Sequence, residues 1–399
     1  MSTAVVGPPE EQAVEPSQAV PVDIVGCSVL SPAGTGLAAL ASALANIRPD
    51  EGTEDLPPLA VRPVAGFDAA AVLGSKGLSR LTRTDRLAMS ACTTALAEAG
   101  AGPAPERTGV VLGTALGSSG AQSEFLRDTF VQDLPYLVNP SAFPGTLMNS
   151  AAGKTAIKHG LTGVNATVSG GPPAALHALR YARTALADGR ADRLLAGGVE
   201  EVSPQSAHAW RLGGALRPGT PLAEGCAVFA LQLADPAAES APDPYARSTG
   251  RRPLGRLLAC ETGYADPFQD VLGVARRLAS CVRTALARSG LAPEDVAVVA
   301  TGAGGRRGWA AVEERALRSV FPAPGAPSAS AAPATPRRLR VDLALGETYG
   351  ASAALQLAAV LAHWQDPATH TTHPHGDRVA VLTSVGMDGC VGCLVAVRA

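Results

Sequence analysis

Gly163-Val164-Asn165-Ala166-Thr167-Val168-Ser169-Gly170-Gly171-Pro172-Pro173-Ala174-Ala175-Leu176 is the stretch on which the reading of this chain turns. Val164 to Val168 is β-rich, Ser169 to Gly171 is a turn, and Ala174 to Asp188 carries the pattern of a helix. Two prolines suit the first positions of that helix, where φ is pre-set and the missing N–H is not needed. The stretch is thus a strand-to-helix elbow.

Working outward, further strands are expected at Thr108 to Leu112, Arg193 to Ala196 and Cys226 to Leu233. Order begins at Val22. Val22 to Leu30 is a β-rich run, Ser31-Pro32-Ala33-Gly34 a turn, and Leu37 to Asn46 an apolar-periodic helix. A second helix runs from about Thr84 to Gly100, with Asp85 near its start and Leu87, Ala91 and Leu96 on its apolar face. Beyond the elbow the same grammar returns: a strand at Leu254 to Cys260, a helix at Phe268 to Ser289, and a strand at Val296 to Ala300. A helix at Ala351 to Trp364 and closing strands at Arg378 to Thr383 and Gly389 to Val397 complete it. Alternating strands and helices imply a mixed α/β sheet covered on both faces, built here from two similar halves. The expected division is a disordered tail over 1–20, an N-terminal half over 21–240 and a C-terminal half over 241–399. The Pro- and Ala-rich runs Ala234 to Pro253 and Pro322 to Pro336 read as a connection and an exposed loop.

Composition narrows the function. The chain has 399 residues, 46% hydrophobic but only 4% aromatic, so its core is built mainly from Ala, Val and Leu. A net charge of -2 with dispersed signs offers no footprint for nucleic acid or an anionic membrane. Seven cysteines without framework spacing point to reduced thiols and a cytoplasmic protein. The N-terminal run lacks a basic segment followed by an apolar one, and no run of about 18 uncharged apolar residues would span a bilayer.

Seven segments, in order, resemble the β-ketoacyl synthase family of the thiolase fold: Val25 to Gly34, Thr84-Asp85-Arg86, Val110 to Gly117, Asn149 to Gly153, Ala196 to Glu200, Glu224-Gly225 and Ser384 to Gly389. The resemblance implies a thiolase-like five-layer αβαβα sandwich that dimerises through a strand of its first half. It also implies a Cys-His-His reaction centre, which this chain lacks. The family's cysteine sits at the elbow, where the helix N-terminus lowers the thiol pKa. Registering Gly163 and Asn165 places Pro172 there. The first histidine position falls on Thr301, the second on Glu347, and the family's lysine on Asp342. No Cys lies between Cys92 and Cys226, and no His between His208 and His363, so a shifted register restores neither group. Glu347 and Asp342 in place of basic groups would reverse the field felt by an enolate.

The pattern is similar to that of chain length factors, the ketosynthase β subunits of type II polyketide synthases, although those typically place Gln at the cysteine position. This likeness implies a catalytically silent subunit that forms a heterodimer with an active ketosynthase and shapes a tunnel for a chain tethered to an acyl carrier protein. No cofactor, metal, nucleic acid or membrane partner is implied. By position, Leu116, Phe125, Met148 and Met387 are the tunnel candidates. The alternatives are an acyltransferase or hydrolase with a relocated site around Ser169, His177 or Glu347, and a non-catalytic homodimeric carrier-binding protein.

Individual residues carry plainer readings too. A G-x-S-x-G elbow needs Gly at 167, where this chain has Thr, which favours Ser169 as a turn residue. His177 suits a helix face. Cys390 and Cys393 have metal-pair spacing, but strand alternation sends them to opposite faces as buried core thiols. His370, His373 and His375 fall in a solvated loop. Arg306-Arg307 has the charge to meet a carrier protein's acidic face.

Overall fold

The computed structural model describes residues 20–47, 60–234, 252–322, 335–366 and 376–399. The expected tail up to residue 19, most of the two Pro-rich runs, and His370, His373 and His375 lie outside the described residues.

Five strands of the first half are, in chain order, Val22–Ser31, Thr108–Gly113, Asn165–Val168, Arg193–Glu200 and Gly225–Leu233. In the sheet they lie third, second, fourth, fifth, first. The second half contributes Gly255–Tyr264, Val296–Thr301, Arg337–Arg340, Val379–Val385 and Cys390–Val397, in the same spatial order. Directions repeat as well: the last strand of each half runs antiparallel to both neighbours, and the three beyond it are mutually parallel. The halves join where Val22, Asp23 and Ile24 pair with Leu257, Arg256 and Gly255.

Strand alternation then sorts side chains into three cores. Ile24, Cys27, Val29, Val111, Leu194, Ala196 and Phe229 face the centre, with Leu257, Ala300, Leu382 and Leu394 from the other half. Between the half-sheets lie the helices Ala174–Ala187 and Ser352–Gln365, which pack on strands and on each other. Every residue of the latter but Gln365 is buried, as befits a helix apolar on all sides. Its alanines let it fit between two sheets. The helices Arg83–Ala99 and Ser150–His159 cover the outer face of the first half over Val25, Val110, Leu112 and Val228. Val271–Arg288 and Trp309–Val320 cover the second over Val299, Val381 and Val395. The result is five layers, αβαβα.

Local chemistry explains the boundaries. Thr82 and Asp85 form a reciprocal capping box that starts the helix Arg83–Ala99, and Asp85 also takes a 2.6 Å hydrogen bond from Lys154. Asp270 caps the helix expected from Phe268, so it begins at Val271 and leaves Phe268 94% exposed in the preceding loop. Among the described residues the structure adds seven α-helices to those expected, four of them of ten residues or more: Ser119–Val131, Ser150–His159, Pro204–Gly213 and Trp309–Val320. Of the two spaced cysteines, Cys393 is buried in the outer core of the second half. Cys390, at the strand start, is only half-buried, a correction to the expected pair of core thiols.

Candidate functional site

The elbow has the expected geometry. The strand Asn165–Val168 ends in a turn in which Gly171 adopts φ 60°, a left-handed conformation, and its carbonyl accepts from Ala174 N at 3.1 Å. Pro172 is buried just before the helix, and Pro173 is its N-cap. Gly113 lets the helix start lie directly on the neighbouring strand, since a Cβ there would come within 2.5 Å of the Ala174 backbone. Ser169 Oγ reaches Ala115 O at 3.5 Å rather than any base. The His177 ring rests against Gly170, and burial holds its pKa below the usual imidazole value.

Opposite the elbow stand the turns that follow two strands of the second half. Thr301 ends its strand, buried, with a hydroxyl that has no hydrogen-bond partner among the described residues. Gly302 N and Ala303 N donate to the buried carboxylate of Glu313, which also accepts from Thr383 Oγ1 at 2.7 Å. Arg306, fully buried, donates through Nη2 to Gly302 O at 2.8 Å, through Nη1 to Val385 O, and through Nε to Glu347 Oε2 at 3.1 Å. Glu347 Oε1 accepts from Tyr349 N at 2.9 Å. Burial pushes the Glu347 pKa up, and the Arg306 guanidinium pulls it back.

Tyr349 connects the two sides. It is the one non-glycine residue with positive φ among the described residues, at 42°. Its ring meets Trp210 edge-on at 4.9 Å, and its hydroxyl lies 3.6 Å from where a Cβ of Gly171 would be. An aromatic side chain therefore stands against the elbow turn.

Two expectations are corrected here. Glu347 and Asp342 do not present bare negative charge. Glu347 is paired with Arg306, and Asp342 with Arg340 at 3.0 Å, because an uncompensated carboxylate is costly to bury. Arg306 is likewise no surface residue for a carrier protein, being spent inside, whereas Arg307 is exposed.

Leu116, Phe125 and Met148 fall in one neighbourhood. Leu116 N donates to Glu200 Oε1 at 3.0 Å, Met148 packs against Gly117, and Phe125 meets Phe143 at 5.8 Å. Met387 lies apart, against the cluster of Trp210, Leu216 and Leu222. Glu200 joins Leu116 to the Tyr349 turn, since its carboxylate also accepts from Ala115 N at 2.7 Å and faces Gly350. Burial raises its pKa to about 8, despite the backbone donors that lower it. Glu200, Glu313, Trp210 and Tyr349 were missed as site residues. Glu200 alone left a signal, as the last residue of the Ala196 to Glu200 segment.

None of the seven thiols offers a nucleophile at the elbow. Burial pushes Cys92 and Cys260 up to about 12 and half-buried Cys390 to about 11, and raises the other four too. No helix among the described residues is long and apolar enough to cross a membrane.

Comparison with known proteins bears on this site. Residues 19–235 match the family model described as beta-ketoacyl synthase, N-terminal domain. A putative polyketide beta-ketoacyl synthase 2 of Streptomyces coelicolor is 28% identical, over 93% of each chain. A solved structure titled the ishigamide ketosynthase/chain length factor superposes with a TM-score of 0.75 at 33% identity, covering 95% of this chain and 99% of that one. Another, of a type II polyketide synthase acyl-carrier protein in complex with its ketosynthase, shares the fold at 21% identity and a TM-score of 0.73, covering 96% of this chain and 100% of that one.

Proposed function

Since the chain belongs to the β-ketoacyl synthase family, we propose that it is a ketosynthase-like polyketide synthase subunit without condensing chemistry, paired with an active ketosynthase. The observation that carries this reading is the Arg306–Glu347 pair. Where condensation needs a thiolate and two imidazoles, this chain has a proline, a threonine, and a carboxylate neutralised from within. Such a centre neither holds an acyl group nor stabilises an enolate.

A surface for the partner lies beside it. Among the described residues Asn165–Val168 is an edge strand, bonded on one side only. Val164 and Val168 turn their carbonyls inward to Val110 N and Thr114 N, so Asn165 and Thr167 turn their backbone groups outward. The helix Ser119–Val131, which packs on Pro204–Gly213, has no buried residue; its Phe130 and Val131, with Tyr136 beyond it and Ile157 on the helix that packs on the edge strand, are 64–85% exposed. Apolar exposure of this extent marks an interface. The occupant is the corresponding face of a ketosynthase, in keeping with the solved ketosynthase/chain length factor. Leu116, Phe125 and Met148 adjoin this face and would wall the cavity holding the carrier-borne chain, with Met387 behind Tyr349.

Co-expression with candidate ketosynthases tests this. The expected result is a complex of about one to one whose product shortens with Leu116→Trp and lengthens with Leu116→Gly. The lone chain, given acyl- and malonyl-carrier protein, should form no product. Acyl transfer to the lone chain that Ser169→Ala abolishes would overturn the reading in favour of a relocated active site.

A further inference from the structure

A cleft of about 400 Å³ opens on the far side of Trp210, lined by Ala60, Trp210, Arg211, Leu216, Arg217, Thr220 and Arg307 among others. Its charged residues are all arginines, and no carboxylate lines it among the described residues. None of the three guanidinium groups has a hydrogen-bond or ion-pair partner among the described residues. This sets them apart from the paired Arg306, Arg340, Arg276 and Arg318.

Backbone geometry holds two of these arginines together. Leu216 and Arg306 form an antiparallel bridge, flanked by Arg217 N to Gly305 O at 2.9 Å and Arg307 N to Ala215 O at 2.8 Å. Leu216 and Arg306 point inward, both buried, so alternation sends Arg217 and Arg307 to the outer face as diagonal neighbours. Arg217 also opens a tight turn, Arg217-Pro218-Gly219-Thr220, closed by Thr220 N to Arg217 O at 3.1 Å with Gly219 at φ 77°. Arg211 reaches the cleft from the last turn of the helix Pro204–Gly213. Trp210 forms an aromatic wall, 8% exposed and held edge-on by Tyr349.

Like charges gathered round one cleft repel one another, and no carboxylate among the described residues lines it to offset them. A tetrahedral oxyanion would, since guanidinium forks bind phosphate oxygens in pairs. We propose that this cleft is a binding site for a phosphate ester, with the arginines on the phosphate and the adjoining organic group along Trp210. Two sources share that chemistry: a free phosphorylated small molecule and the phosphodiester of a carrier-borne pantetheine arm. The proposal does not depend on the ketosynthase partner.

Calorimetric titration of the full chain with inorganic pyrophosphate and, separately, pantetheine 4′-phosphate tests it. The expected result is saturable one-to-one binding, weakened about tenfold or more in the double variant R217A/R307A. The charge-matched double variant R276A/R315A, in the groove between the two outer helices of the second half, should bind as the unaltered chain does. Unfolding midpoints of both variants check that the fold is intact. Tighter binding of pantetheine 4′-phosphate than pyrophosphate identifies the carrier arm as the source, and the reverse a free phosphate; both sustain the site. No saturable binding of either probe, or equal weakening in both double variants, would overturn it.

Discussion

The outermost strands of the two half-sheets occupy the same topological position and carry opposite chemistry. Asn165–Val168 has no charged residue, and the apolar side chains Phe130, Val131, Tyr136 and Ile157 of the same half are left uncovered among the described residues. Arg337–Arg340 has three arginines in four residues; Arg338 lies over the Phe321 ring at 5.8 Å and Arg340 pairs with Asp342. Charge on an edge strand discourages pairing with another chain, whereas an uncharged edge invites it. The duplicated fold thus has one sealed edge and one open one. The sealed half also supplies the buried Arg306–Glu347 pair, so under the proposed function closure of the centre and partner binding would be divided between the halves.

This contrast can be broken at the ion pair. Arg306→Ala leaves Glu347 buried without its partner and should cost about 3–5 kcal/mol of stability, measured by urea unfolding. Replacing both groups by apolar ones, as R306M/E347L, should restore most of it. Equal losses in the two variants would mean that the charges do not compensate each other.

The open edge is tested next. Thr167→Pro removes an outward N–H while sparing the bonds to Thr108–Gly113. Affinity for the ketosynthase should fall about a hundredfold in sedimentation or co-purification, with the monomer still folded. An unchanged affinity would move the interface elsewhere.

Glu200 sharpens the link between the halves, because it ties the Leu116 loop of the first to the Tyr349 turn of the second. Its folded pKa of about 8 lies above the ordinary 4.5, so folding favours the protonated carboxyl. Its contribution is complete below about pH 4.5 and is lost as pH rises through about 8. Between pH 5 and 8 the unaltered chain should lose more stability than Glu200→Gln, by on the order of a few kcal/mol. Parallel pH profiles of urea unfolding would contradict this.

The smallest effect belongs to the sealed edge. Arg337→Thr should leave ketosynthase affinity within about twofold. A loosened complex would make that edge the partner surface and reverse the comparison.

Much of the fold was legible in the sequence. The elbow, the alternation of strands with helices and the repeat of one order in two halves follow from period-2 and period-3.6 patterns and from Gly and Pro at turns. The helix Ser119–Val131 was not, because its apolar residues face away from this chain's own core. Pro204–Gly213 did carry a signal, Ser203 before Pro204, and its capping pair Ser203 and Ser206 is present in the structure. At the site, the residue types at 172, 301, 342 and 347 were open to reading as replacements of family groups, but the fate of Arg306 was not. Beside Arg307 it looks like half of a solvated pair until Glu347 and Val385, 41 and 79 residues away, surround it.

From its residues alone this chain reads as lacking the condensing groups at the family's positions, because no thiol lies between Cys92 and Cys226 and no imidazole between His208 and His363, and folding adds no functional group to a stretch that has none. Only the tertiary structure decided what fills the vacated space and which edge stays open. Burial, charge pairing and exposure are set by contacts between distant segments, and those contacts give Arg306 and Arg307, neighbours in the chain, opposite roles.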